Sequence, residues 1–280
     1  MKRHPIGRRP TQRDRRAGVA AAAGAAAAAH TTVAALIALA ATMLFAAGCS
    51  DAGAGGGVAD DAGGTDIPAA AAHGEGVAAD SALVSGWATG VVAYGPGAEA
   101  AAYTDARAAL GPATGVSTEV VTLGRGGTIT LELAAACADR DGAELAVFEN
   151  ALGEASSLFA ELAYVEVSSN GTDFARFPVA TTRTEPVGAY GRIDTGQYSG
   201  FAGLHPAGTG TAFDLAELRG SAEVAEGPVD LDAVRFVRLV DVVGDGRETD
   251  ASGIPVYDPY PTTDTAGFDL DGVALLRGGE

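Results

Sequence analysis

Two cysteines, four histidines and one tryptophan are all that 280 residues offer of the side chains that most often build disulfides, transition-metal sites and aromatic sugar platforms. Past His30 only His73 and His205 remain, which excludes most histidine-based metal sites and leaves little choice of general base. No Gly-Xaa-Ser-Xaa-Gly elbow, P-loop or His-Glu-Xaa-Xaa-His is present, so the sequence gives no catalytic centre and argues against an enzyme. Charge is missing altogether between Arg16 and Asp51.

That uncharged stretch follows seven basic residues, Lys2, Arg3, Arg8, Arg9, Arg13, Arg15 and Arg16, which is the order of a secretory signal. Its strongly apolar part, Val33 to Phe45, is about the length of a signal h-region and short for a spanning helix. Leu44-Phe-Ala-Ala-Gly-Cys49 then resembles a lipobox, in which small residues precede a cysteine that receives diacylglycerol. Ala46 stands where leucine is more usual. The expectation is a signal peptide over 1–48 and a lipid-anchored, extracytoplasmic chain beginning at Cys49. Ser50, which is not an acid, directs it to the outer membrane or cell surface.

Removing 1–48 leaves 11 basic and 35 acidic residues, a formal charge of −24. Such a field repels nucleic acid and attracts cations, and Ca²⁺ is the hard cation most available outside a cell. With Cys49 lipidated, Cys137 is left unpaired as a small core residue, and no disulfide is possible. Residues 49–82 are rich in Ala, Gly and Asp and read as a flexible tether, with an r.m.s. span of roughly 30 Å. His73 falls in that tether. Residues 83–280 read as one domain, long enough to bury a sizeable core.

Short apolar or alternating runs between Gly, Pro, Asn and Asp clusters predict mostly β structure. Strands are expected near 116–123, 127–133, 145–149, 162–168, 174–177, 234–242 and 267–276. Short helices are expected at 103–110 and 213–219, and 187–211 reads as a long loop over one end of the sheets. Asn170-Gly171, between two alternating segments, predicts a tight hairpin turn.

Five blocks, TLGRGGTITL (122–131), VFEN (147–150), ELAYVEVSSNG (161–171), YDPYPT (257–262) and GFDLDGV (267–273), resemble a family of bacterial cell-surface proteins of unassigned biochemical role. The similarity runs from about residue 91 to 276. More weakly, the strand ending in SSNG and the closing DLD strand resemble discoidin and carbohydrate-binding modules. That resemblance implies an all-β, jelly-roll-like (galactose-binding-like) sandwich with long loops and one or two short helices, whose loop end is the ligand face. Trp87 lies outside the blocks, so a sugar platform would fall to Tyr190, Tyr198, Tyr257 and Tyr260.

Acids interleaved with glycine supply the ingredients of Ca²⁺ loops. Asp241, Asp245, Asp250 and Asp258 form one set; Asp139, Asp141 and Glu144 form a second; Asp269 and Asp271, on one face of the last strand, form a third. From these, Asp141, Asp241, Asp245, Asp258, Asp269 and Asp271 are the expected metal ligands. Glu149 and Asn150, at a strand end in a family-like block, are candidate ligand-loop residues. The sequence reading is a lipid-anchored, non-catalytic binding or adhesion module, with a glycan or another surface protein as partner and Ca²⁺ as structural support. A carboxylate-pair glycoside hydrolase and a structural envelope protein are the alternatives.

Overall fold

The computed structural model describes residues 69–278. Cys49, the signal segment and the first part of the expected tether lie outside them. The strands in chain order begin with β1 (Gly76–Ala78), β2 (Val84–Gly95), β3 (Val121–Thr122), β4 (Thr128–Cys137) and β5 (Leu145–Glu149). Next come a small hairpin, β6 (Leu152–Glu154) and β7 (Ser157–Phe159), then β8 (Ala163–Ser168), β9 (Ala175–Arg176) and β10 (Ala180–Thr181). The remainder are β11 (Tyr198–Ser199), β12 (Phe201–Ala202), β13 (Thr209–Phe213), β14 (Val234–Asp241), β15 (Asp245–Thr249), β16 (Pro255–Tyr257) and β17 (Asp269–Leu276).

Eleven strands form one curled antiparallel sheet in the order β1-β13-β5-β17-β2-β4-β14-β8-β12, with β3 beside β17 and β9 beside β8. The fold is therefore all-β and sandwich-like, as expected. Strand β2 makes the corner. Val84, Gly86 and Trp87 pair with β17, while Ala88 to Gly95 pair with β4. Register shifts between Ala88 and Gly90 and between Val91 and Ala93 mark the kinks that let one strand serve both halves.

The two halves close on a shared core. Leu145 and Val147 of β5 and Val273 and Leu275 of β17 meet Ile129 and Leu131 of β4, Val165 and Val167 of β8, and Val237 and Leu239 of β14. Their two-residue spacing is what puts them on one face. Strands β5 and β17 are buried at every position, because their outer face is covered too. There Phe148 packs against Trp87, ring centroids 5.2 Å apart, under Ala71, Val77 and Ala113.

That cover includes chain assigned above to the tether. Val77 is buried on β1, which pairs with β13 from Gly76↔Thr211 to Ala78↔Thr209. His73 stacks on Phe177 and accepts the Asp214 N–H through Nδ1 at 3.2 Å. Residues 69–82 are thus part of the folded domain. The small apolar residues Ala71 and Val77 fill the outer face of β5 even though the segment has no periodic pattern.

Both expected helices are single 3₁₀ turns, Ala106–Ala109 and Leu215–Leu218, capped by the carboxylates of Asp105 and Asp214. One α-helical turn follows at Ala222–Ala225. The hairpin around Asn170 is longer than a two-residue turn, since β8 and β9 pair at Val167↔Ala175. Asn170 Oδ1 accepts the N–H groups of Thr172 and Asp173, and Gly171 alone takes positive φ. The side chain builds an Asx-type turn in place of the tight one.

Candidate functional site

Loops 96–104, 123–127, 183–192 and 258–268 meet at one end of the sandwich. Backbone pairing joins them: Gly97 N–H to Leu123 O (2.8 Å), Arg125 N–H to Ala98 O (2.8 Å), Ala101 N–H to Asp264 O (2.6 Å), and a bridge between Val187 and Pro259. Beneath them lie five buried acids, Glu149, Glu161, Asp241, Asp258 and Asp269, each exposed by 7% or less. They belong to the ends of β5, β14 and β17 and to the turns beside β8 and β16.

Each acid has donors around it, the backbone amides of Ala151 and Glu161 in the case of Glu149. Asp241 accepts Gly126 N–H through Oδ2 (2.8 Å) and Phe268 N–H through Oδ1 (2.7 Å). Glu161 Oε1 accepts Gly267 N–H (2.9 Å) and the Thr262 hydroxyl (2.6 Å). Asp258 Oδ2 accepts Leu162 N–H at 3.0 Å. Asp269 accepts the Thr122 hydroxyl (2.5 Å) and the Asn150 amide (3.2 Å), one on each oxygen. These bonds satisfy loop backbone that a buried turn would otherwise leave unpaired, and so fix the loops.

The electrostatics run the other way. Burial pushes the carboxyl of Asp241 up to about 8 and that of Asp269 up to about 6, against the donors that hold them. Burial first, then neighbouring carboxylates, raises Glu149 and Asp258 well above the ordinary range; Glu161 is raised as well, with burial the largest cause. Among the described residues none of the five makes an ion pair. The chain's single lysine is Lys2, so arginine alone could have supplied the counter-charge.

The expected metal ligands separate into groups. Asp241, Asp258 and Asp269 join the cluster. Asp271 instead accepts Thr114 and Gly115 N–H groups, Asp245 turns to the backbone and side chain of Arg247, and Asp141 is exposed. Among the described residues one set of three acids brings a ligand atom each within 4.8 Å of the others, namely Asp139, Glu144 and Asp214. Asp214 takes the place that Asp141 holds in the sequence grouping. This set already has a cation, since Arg219 Nε reaches Asp139 Oδ2 at 2.5 Å.

Of the four tyrosines, two face the loop end. Tyr190 is 61% exposed, stands at φ 56°, and its hydroxyl lies 3.0 Å from Thr263 Oγ1. The Arg125 guanidinium lies 5.7 Å from the centre of the Tyr260 ring and 3.5 Å from Glu99. Tyr198 is buried, donating to Tyr257 O at 2.6 Å, and the Tyr257 ring covers Gly246. Asn150 bridges Ser117 O and Asp269.

A comparison of the chain with models of known protein families finds no match, and a search of curated proteins finds none either.

Sequence reasoning missed Glu161 and Arg125 as site residues. Glu161 carries a weak signal: it is a lone acid leading directly into the fully buried strand β8. Arg125 reads fully as a glycine-rich turn, and only the approach of the 258–263 loop gives it a role.

Proposed function

We propose that this chain is a lipid-anchored cell-surface protein whose sandwich is a non-catalytic recognition module, binding a glycan at the loop end. The observation that carries the reading is Tyr190. A bulky residue at positive φ is costly, and strain of this kind concentrates at functional sites. Here it holds an aromatic ring in solvent, tilted against Phe159 with ring centroids 6.2 Å apart and its hydroxyl 3.0 Å from Thr263 Oγ1. An apolar ring face with fixed polar groups around it is the usual composition of a sugar site.

Anchoring rests on the basic, apolar and small-residue order that ends at Cys49. Radiolabelled palmitate fed to producing cells should label the wild type and not Cys49→Ala. For recognition, a glycan array read with the wild type and with Tyr190→Ala is the direct measurement. Binding that falls at least tenfold in the variant supports the reading, whereas no binding to any glycan, or binding indifferent to the change, removes it.

A second reading is favoured by the raised carboxyls, because an acid catalyst needs a proton at neutral pH. Burial of all five acids weighs against it, as none offers a face to a polysaccharide chain. Turnover of chromogenic glycosides that disappears in Asp269→Asn would favour the hydrolase.

A further inference from the structure

We propose, on the basis of the glycan reading of the Tyr190 face, that Arg192 receives a carboxylate of the bound saccharide, which makes the ligand an acidic glycan of the hexuronate class. Arg192 is exposed, yet its guanidinium is held in place. Nη1 donates to Leu152 O and to Ser157 O, each at 2.9 Å, which uses both of its hydrogens. The two carbonyls belong to the two strands of the β6–β7 hairpin. Between them Gly153, at φ +126°, leaves the room that Nη1 occupies, and a Cβ there would collide with it.

The edge formed by Nε and Nη2 stays free. Neither atom makes a hydrogen bond among the described residues, and Arg192 makes no ion pair among them. Past residue 48 the acids outnumber the bases by 35 to 11, and seven of the eleven arginines there are paired with one, yet Arg192 is kept clear of every carboxylate. The Nε and Nη2 edge is one that takes a carboxylate through two parallel N–H···O bonds, and pinning Nη1 lowers the ordering cost of doing so. Joining the hairpin to the loop that carries Arg192 does not require the guanidinium. Leu158 and Ile193 already exchange backbone bonds at 2.9 and 2.8 Å, and Thr195 N–H donates to Ala155 O at 2.9 Å.

The aromatic face stands on the same hairpin. The Tyr190 and Phe159 ring centroids are 6.2 Å apart, and Phe159 pairs in register with Leu152, whose carbonyl holds Nη1. Leu152 is 43% and Tyr190 61% exposed, so apolar surface is open to a ligand here. A three-residue strand is roughly 10 Å long, so a short oligosaccharide lying on the ring can reach the guanidinium. The negative charge of the chain opposes an anionic polymer at a distance. With a Debye length of about 8 Å at physiological salt, however, the pair in contact governs.

The test is binding of the purified protein to uronic-acid oligosaccharides, each beside its carboxyl-reduced counterpart, the same sugar without the charge. At least one acid form should bind about tenfold or more tightly than its reduced form, as a charge-assisted contact of this kind is worth. Arg192→Gln, whose amide can still donate to both carbonyls, should lose that preference, and Arg192→Lys should keep only part of it. Tyr190→Ala should weaken both forms alike. Equal affinity for acid and reduced forms, binding confined to neutral sugars, or an undiminished preference in Arg192→Gln overturns the proposal and leaves the glycan reading standing. No binding to any glycan removes both. Should Arg192→Gln fail to fold, Arg192→Lys decides, and an unchanged preference in that variant overturns the assignment.

Discussion

Gly244 lies against Asp258 so closely that a Cβ on the glycine would fall inside the van der Waals shell of the Asp258 Oδ1 oxygen. The glycine also stands at φ +76°, where a side chain is strained in any surroundings. Gly244→Ala should therefore cost about 2–4 kcal/mol, combining strain with displacement of a buried carboxylate. Gly253, at φ +85° with open space around it, supplies the control. Gly253→Ala should cost only about 1 kcal/mol. Equal losses in urea unfolding would mean that the contact with Asp258 adds nothing.

Residues 69–82 are expected to be part of the stability of the domain. A chain starting at residue 83 loses the β1 pairing, the buried Val77 and the His73 contact with Asp214. Compared with a chain starting at 69, it should be weaker by roughly 3–5 kcal/mol. Matching denaturation curves for the two chains would return this segment to the tether.

Glu144 predicts a pH dependence. Burial raises its carboxyl from 4.5 to about 7, although Leu215 and Arg140 amides donate to it. Because the folded state binds the proton more tightly than the unfolded state, the stability this group contributes is complete below about pH 4.5. It declines as the pH rises through about 7. The advantage of wild type over Glu144→Gln should accordingly shrink between pH 5 and pH 8. Parallel midpoints across that range would contradict the assignment.

Cys137 should be a slow thiol. Burial, followed by the Glu144 charge, pushes it up to about 12, and it lines a cavity of about 310 Å³ with Arg140 and Glu144. At pH 8 the thiolate fraction falls with that shift, so reaction with a thiol reagent should be at least about 100-fold slower in the folded protein than in urea. Labelling at equal rates in both states would show an open, ordinary thiol.

The strands that could be read from the sequence are those whose apolar residues run or alternate without interruption. Leu145–Glu149 matches the expected bounds, and β8, β14 and β17 differ by a residue or two at their ends. Strand β2, the longest, was invisible because VSGWATGVVAYG contains glycines at three positions and its register shifts break the period of two. Val116 to Val120 were expected in a strand, but only Val121 and Thr122 pair, because the preceding turn is occupied with Asp271 and Ser117 contacts. Acid clusters were legible as composition and misleading as geometry. Asp269 and Asp271 look like a pair on one strand, yet they serve different loops. Asp269 instead shares its surroundings with Glu149 and Glu161, through contacts that no local spacing encodes.

The corner strand β2 has a mechanical consequence. A pull on the N-terminal end of the described domain loads first the three-residue pairing of β1 with β13, which lies at the sheet edge and can peel away alone. Load then passes to β2, which is hydrogen-bonded into both halves, and from that point tension on one strand is shared by the entire sheet. Resistance should therefore come in two stages, a weak release at the edge followed by a single strong barrier at the corner.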